Sequence, residues 1–88
     1  MNKATKRMEI EVNKISVIRT WRYMGQMHAK VGVEYLRLDT NEVQDRYLVI
    51  RDVSDFIFEM KARHRYLIEL EITPNDTNWR WTNAIELA

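Results

Sequence analysis

The sequence predicts an all-β domain with one short helix. Three consecutive runs alternate between apolar and polar residues, the segment near residue 53 switches to helical periodicity, and two further alternating runs follow. The predicted element order is therefore β-β-β-α-β-β within 88 residues. Because a chain of this length buries one compact core, we expect a single domain over residues 8–88, preceded by a flexible basic tail over residues 1–7.

The first predicted strand begins at Met8 and continues to about Tyr23. Apolar and polar residues alternate regularly at its start, which is typical of a half-buried strand. The alternation slips between Asn13 and Ile18, which predicts a bend or a β-bulge there. Gly25 can adopt positive φ at little cost, so we place the following turn at residues 24–26.

The second predicted strand covers His28–Asp39 and the third covers Val43–Arg51. Apolar residues change parity part-way along the second strand, which predicts a bulge near Gly32–Tyr35. The polar segment Asp39–Glu42 forms the turn between the two strands. The third strand carries apolar residues at both parities, a pattern that favours a strand covered on both faces.

The segment Val53–Ala62 is predicted to be helical. Its apolar residues follow the spacing i, i+3, i+4, i+7, which forms one stripe on a helix, and they are Val53, Phe56, Ile57 and Met60. A strand over Tyr66–Thr73 follows, with its apolar face inward. Pro and Asn residues at 73–78 predict a turn, and Trp79–Leu87 then forms the last strand.

Composition excludes several classes of function. The chain has no cysteine, so it forms no disulfide and no thiolate metal site. His28 and His64 lack the spacing of metal ligands, so we expect no metal and no cofactor. Residues 1–7 do not resemble a signal peptide, and no stretch is apolar enough to span a bilayer. We therefore expect no membrane association and a cytoplasmic location, which is the host cytoplasm if the protein is viral.

No motif in the sequence predicts a reaction. Glu69 and Glu71 share one face of a predicted strand, but no pocket is implied around this carboxylate pair. Ser16 and Ser54 do not occupy a nucleophile elbow. The two glycines are isolated, so they form no phosphate-binding loop. We expect a binding protein and not an enzyme.

The predicted order resembles the OB-fold, a five-stranded Greek-key barrel with a helix between strands three and four. The resemblance covers Met8–Leu87. The segment Asp55–Leu87 is also similar to the second half of single-stranded-DNA-binding proteins, with a basic turn at residues 61–65. The resemblance implies an OB-like barrel that binds single strands across strands two and three and the loops beside them.

Aromatic and basic residues interleave in three segments, Arg19–Tyr23, Arg63–Tyr66 and Trp79–Trp81. Aromatic rings stack on bases, while Arg and Lys contact phosphates. We therefore expect binding of single-stranded nucleic acid, with DNA favoured over RNA and little sequence preference. The predicted stacking residues are Trp21, Tyr23 and Trp79. The predicted phosphate contacts are Arg19, Arg22, Lys30, Arg46, Arg65 and Arg80.

Two other interpretations remain open. Trp79 and Trp81 share the parity of Ile85 and Leu87, which would place them in the core. The net charge of +1 is low for a protein that coats nucleic acid. Trp, Tyr, Arg and Met are also enriched at protein interfaces, so a phage-type accessory or inhibitor protein is the alternative function. A structural subunit of a larger particle, held by edge strands, is the third interpretation. For the nucleic-acid function, self-association into a homo-oligomer would add affinity, because a single small barrel contacts few nucleotides.

Overall fold

The computed structural model describes residues 3–50, 56–75 and 77–87. These residues form one sheet of five antiparallel strands, which confirms the predicted all-β class. The strands are β1 (Ala4–Tyr23), β2 (Gln26–Arg37), β3 (Glu42–Ile50), β4 (Arg65–Ile72) and β5 (Arg80–Glu86). Their order in the sheet is β3-β2-β1-β4-β5, so β1 is central and β3 and β5 are the edges. In the described residues β3 does not pair with β5, and the sheet is open.

The 20-residue strand β1 joins the two halves of the sheet. Residues 4–11 pair with β4, and residues 10–23 pair with β2. The register of β1 with β2 shifts at Asn13 and again at Ile18, which confirms the predicted irregularity. Each shift adds one residue to β1 and bends the strand. The two ends of β1 can therefore pair with different strands. Residues 4–7 of the predicted tail belong to this strand.

The turn between β1 and β2 lies at Met24 and Gly25, as predicted. Their φ angles are 50° and 77°, and two positive φ angles are the signature of a type I′ hairpin turn. The predicted bulge in β2 at Gly32–Tyr35 is wrong, because β2 pairs with β3 in continuous register. The irregularity opposite Glu34 and Tyr35 instead places the extra residue, Asn13, in β1. The side chain of Tyr35 continues the buried face of β2. The apolar residues of the sequence shift to the other face of β2 because Leu36 is half-buried there.

The core lies on the inner face of the sheet. Because all five strands and the segment after β3 contribute to one cluster, the sheet curls around it. Trp81 is 6% exposed and belongs to this cluster, which confirms the interpretation that placed it in the core. It does not share its face with Ile85, which is 46% exposed, because the pairing of β4 with β5 shifts between Trp81 and Asn83. The buried residues are Met8, Ile10, Val12, Ala29, Val31, Val33, Tyr35, Ile50, Ile57, Met60, Tyr66, Ile68, Leu70 and Trp81.

The segment between β3 and β4 differs from the predicted α-helix. Phe56–Glu59 form a single 3-10 turn, and Val53–Asp55 of the predicted helix lie outside the described residues. Ile57 and Met60 are nevertheless buried, as the periodicity predicts. None of the helices in the described ranges has the length and apolar character that crossing a lipid bilayer requires.

Strand β3 is covered on one face only, so the prediction of two covered faces is wrong. Val43, Tyr47 and Val49 are each more than 60% exposed, whereas the alternate residues between them are half-buried. An edge strand of a single curled sheet packs its inner face on the core and leaves its outer face in solvent. This leaves large side chains on the outer surface beside β2.

Candidate nucleic-acid interface

Aromatic and basic side chains gather on the outer face of β1, β2 and β3. Strand alternation places Arg19, Trp21 and Tyr23 on the same side of β1. Strand pairing sets Trp21 opposite His28 and Arg19 opposite Lys30. We call this set the aromatic-basic surface, and its members are Arg19, Trp21, Tyr23, His28, Lys30 and Tyr47.

Trp21 lies at the centre of an aromatic cluster. Its ring stacks on that of His28, with centroids 5.6 Å apart and planes 20° apart. Tyr23 meets the same imidazole edge-on at 6.0 Å, and the guanidinium carbon of Arg19 lies 4.8 Å from the Trp21 ring centroid. Aromatic pairs and cation–π contacts at these distances are favourable. The rings are therefore positioned by one another while they remain outside the core.

Tyr47 occupies the adjacent part of the surface, on β3. Its partner across the strand pair is Gly32, and a Cβ atom added to Gly32 would lie 3.4 Å from Cε1 of Tyr47. Because Gly32 has no side chain, the tyrosine ring can lie close to the sheet. The ring remains 63% exposed, and the Lys30 ammonium lies 4.9 Å from its centroid. The exposed side of the ring is accessible for stacking by a flat ligand.

Positive charge is concentrated in the same hairpin. Residues 12–33 contain four basic residues and no Asp or Glu, which gives a charge of +4. The rest of the chain has ten basic and thirteen acidic residues, so it carries −3. In the described part of the chain, Arg19, Arg22 and Lys30 form no ion pair with a carboxylate. These cations can therefore attract an external anion.

Acidic residues bound this basic region. Two residues beyond Gly32 on β2, Glu34 lies opposite Lys14 of β1 and opposite Asp45 of β3. On the outer face of β4, β5 and the first half of β1, Arg7, Arg65 and Arg80 are paired with glutamates, and so is Lys3 just before β1. These ion pairs are Lys3–Glu71 at 3.0 Å, Arg7–Glu69 at 3.8 Å, Arg80–Glu71 at 3.5 Å and Arg65–Glu11 at 3.1 Å. The hydrogen bond from Lys3, assisted by Arg80, lowers the pKa of the Glu71 carboxyl.

The structure separates the predicted binding residues into four groups. Four of them, Arg19, Trp21, Tyr23 and Lys30, lie together on the aromatic-basic surface. Arg22 lies on the opposite face of the same hairpin, where it pairs with Met27. Arg65 and Arg80 lie on the outer face of β1, β4 and β5 and are paired with glutamates.

Arg46 and Trp79, which were also predicted to bind, lie at the gap between the two edge strands. The Arg46 guanidinium donates a hydrogen bond to the main-chain carbonyl oxygen of Trp79. Trp79 is half-buried against the core, and the Lys6 ammonium lies 4.3 Å from its ring centroid. Both residues therefore have structural contacts in this position.

A groove of about 870 Å³ separates the edges of β3 and β5. Ile57 and Trp81 line it from the core, and Arg46 and Trp79 line it from the two edges. Tyr47 and other β3 residues also border the groove. It therefore lies directly beside the aromatic-basic surface.

Sequence reasoning missed His28 and Tyr47. His28 has the sequence context of an ordinary surface histidine, and Tyr47 lies in a strand that the sequence predicts to be covered on both faces. The signal for His28 was available, because a two-residue turn at residues 24–25 sets Trp21 opposite His28. The charge of residues 12–33 was a second signal. For Tyr47 the decisive fact is the pairing of β3 with β2, which no local pattern encodes.

Within residues 3–50, 56–75 and 77–87, no three His, Asp or Glu side chains are grouped so that they could bind a metal ion.

Comparison of the chain with protein-family models, with curated proteins and with solved structures finds no match.

Proposed function

We propose that the protein binds single-stranded nucleic acid, DNA in preference to RNA, with little dependence on base sequence. The observation that carries the proposal is that the partly exposed Trp21 ring and the exposed Tyr23 ring lie beside cations that have no carboxylate partner among the described residues. These groups share one face of a hairpin with charge +4. Stacking rings supply sequence-tolerant affinity, and cations track the phosphate backbone. This function is binding, and it needs no catalytic group.

The spacing of the rings favours an unstacked strand. The Trp21–His28 row and the Gly32–Tyr47 row are four residues apart along β2, or about 13 Å. Stacked bases in a duplex are separated by only about 3.4 Å. Trp21 and Tyr47 would therefore hold bases that are not adjacent in a continuous stack.

Phosphates would lie in the row between the two rings. Arg19 and Lys30 are paired across β1 and β2 in that row, and each now lies over an aromatic ring. On binding, the two cations would turn from the rings to phosphate oxygens, which frees the ring faces for bases. The two rings and the cations between them thus match the alternation of bases and phosphates along one nucleic-acid strand.

We propose further that the fold is an OB-like barrel in which β3 and β5 form the seam. The strand order β3-β2-β1-β4-β5 brings the two edges to either side of one groove, and Arg46 bridges them. The resemblance to single-stranded-DNA-binding proteins implies a ligand across strands two and three. Tyr47 and Lys30 lie on that part of the surface.

The alternative function is a protein-interaction module. It is favoured by Ile18, Val43 and Val49, which are each more than half exposed on the β1–β3 side of the sheet. Exposed apolar groups together with aromatic residues are typical of protein interfaces. Such an interface would depend weakly on salt, whereas phosphate binding weakens steeply as salt is added.

Intrinsic tryptophan fluorescence tests the proposed function, with a labelled oligonucleotide as a parallel probe. Wild-type protein and the control Trp79→Phe should be quenched by a mixed-sequence single strand at low salt, and less so at moderate salt. Trp21→Phe should lose the quenching but still raise the anisotropy of the labelled oligonucleotide, because phenylalanine can also stack. If folded wild-type protein changes neither signal at low salt, the proposal is wrong.

A further inference from the structure

The tip of the β1–β2 hairpin carries an unusual residue. Met24 is 84% exposed, more than any other large apolar side chain in the described part of the chain. Its φ angle is 50°, in a turn position where Asn or Gly is strongly favoured. Both solvation and backbone conformation therefore disfavour methionine here. The adjacent Tyr23 is also 62% exposed.

Cations lie on both faces of the hairpin behind this tip. Arg19 and Lys30 belong to the aromatic-basic surface, whereas Arg22 pairs with Met27 on the opposite face. No acidic residue occurs between residues 12 and 33. Phosphates can therefore contact Arg19 and Lys30 on one face of the hairpin and Arg22 on the other. This arrangement suits a hairpin that lies between the two strands of a nucleic-acid duplex at the point where they separate.

Apolar side chains such as methionine can insert between base steps and unstack them. We propose that Tyr23 and Met24 insert at a junction between single-stranded and double-stranded nucleic acid and unstack its terminal base pair. One strand then follows the aromatic-basic surface, and its complement passes Arg22. This inference rests on the proposed function and specifies its ligand as a duplex with a single-stranded tail.

The test uses a duplex with a single-stranded tail and 2-aminopurine in the terminal base pair. Wild-type protein should increase the 2-aminopurine fluorescence on binding and should bind the tailed duplex more tightly than the tail alone. Met24→Asn should lose both effects and keep its affinity for the tail, because Asn adopts positive φ readily and preserves the turn. The control Val43→Asn also removes an exposed apolar side chain but lies away from the tip, so it should behave like wild type.

The outcomes separate this inference from the proposed function. Binding of the tail without a change in 2-aminopurine fluorescence would overturn the insertion at the junction and leave single-strand binding intact. Equal fluorescence increases with wild type and Met24→Asn would also overturn it. If wild-type protein binds neither the tail nor the tailed duplex, the proposed function is wrong and the inference is wrong with it.

Discussion

The Arg46 guanidinium on β3 donates a hydrogen bond to the carbonyl oxygen of Trp79, the residue that precedes β5. Because no ladder hydrogen bonds join β3 to β5 in the described residues, this side chain connects the two edges of the sheet. The Lys6 ammonium lies over the Trp79 ring and adds a contact from β1. Arg46 therefore helps to keep the sheet curled around its core.

Replacement of Arg46 by methionine should lower the free energy of unfolding by about 1–2 kcal/mol, because a charged donor is removed from a partly buried carbonyl. Urea unfolding measures this loss. Arg37→Met is a matched control, since it removes only the exposed ion pair with Asp39 and should cost less than about 1 kcal/mol. Equal losses in the two variants would show that the link between the edges contributes nothing specific.

Glu71 should contribute to the pH dependence of stability. Lys3 and Arg80 lower its pKa in the folded protein, so folding is favoured by the charged carboxylate. This contribution is complete above the ordinary pKa of about 4.5 and is lost as the pH falls through the lower folded value. The stability difference between wild type and Glu71→Gln should therefore be constant above about pH 5.5 and shrink in acid.

Urea unfolding at a series of pH values tests this expectation. Lys3→Gln should reduce the same acid-dependent component, because the hydrogen bond from Lys3 is the main cause of the lowered pKa. A difference between wild type and Glu71→Gln that stays constant down to about pH 3 would contradict the assignment.

Tyr47 should contribute to binding by stacking on a base. Removal of one stacking ring costs about 1–3 kcal/mol, so Tyr47→Ala should bind a single strand roughly five-fold to 150-fold more weakly. Tyr47→Phe keeps the ring and should bind nearly as well as wild type. The control Val43→Ala alters an equally exposed residue of the same strand face. Anisotropy titrations of a labelled oligonucleotide compare the four proteins, and wild-type affinity in Tyr47→Ala would rule out stacking there.

The alternation of residues was sufficient to predict the five strands, the irregular region of β1 and the turn at Gly25. It could not predict the exposed face of β3, because that depends on which strands become edges. The 3-10 turn at Phe56–Glu59 also differs from the predicted helix, since so short an element is determined by packing and not by its own periodicity.

In the candidate site too, the local sequence predicts some features, whereas others depend on contacts between distant parts of the chain. Trp21 and Trp79 both lie beside arginines near the end of a strand, so the local sequence does not distinguish them. Contacts with Arg46 and Lys6 from distant strands place Trp79 against the core. Trp21 instead follows the second bulge of β1, where the hairpin extends into solvent and the ring remains partly exposed.

The most direct test of phosphate binding by the hairpin is the salt dependence of affinity for a single strand. The double variant Arg19→Gln/Lys30→Gln should reduce the slope of log K against log salt by about 1.4, because each lost phosphate contact removes about 0.7. The control Arg65→Gln/Arg80→Gln changes the net charge equally but alters arginines paired with Glu11 and Glu71. Its slope should remain close to that of wild type, and equal slopes for the two double variants would contradict the account.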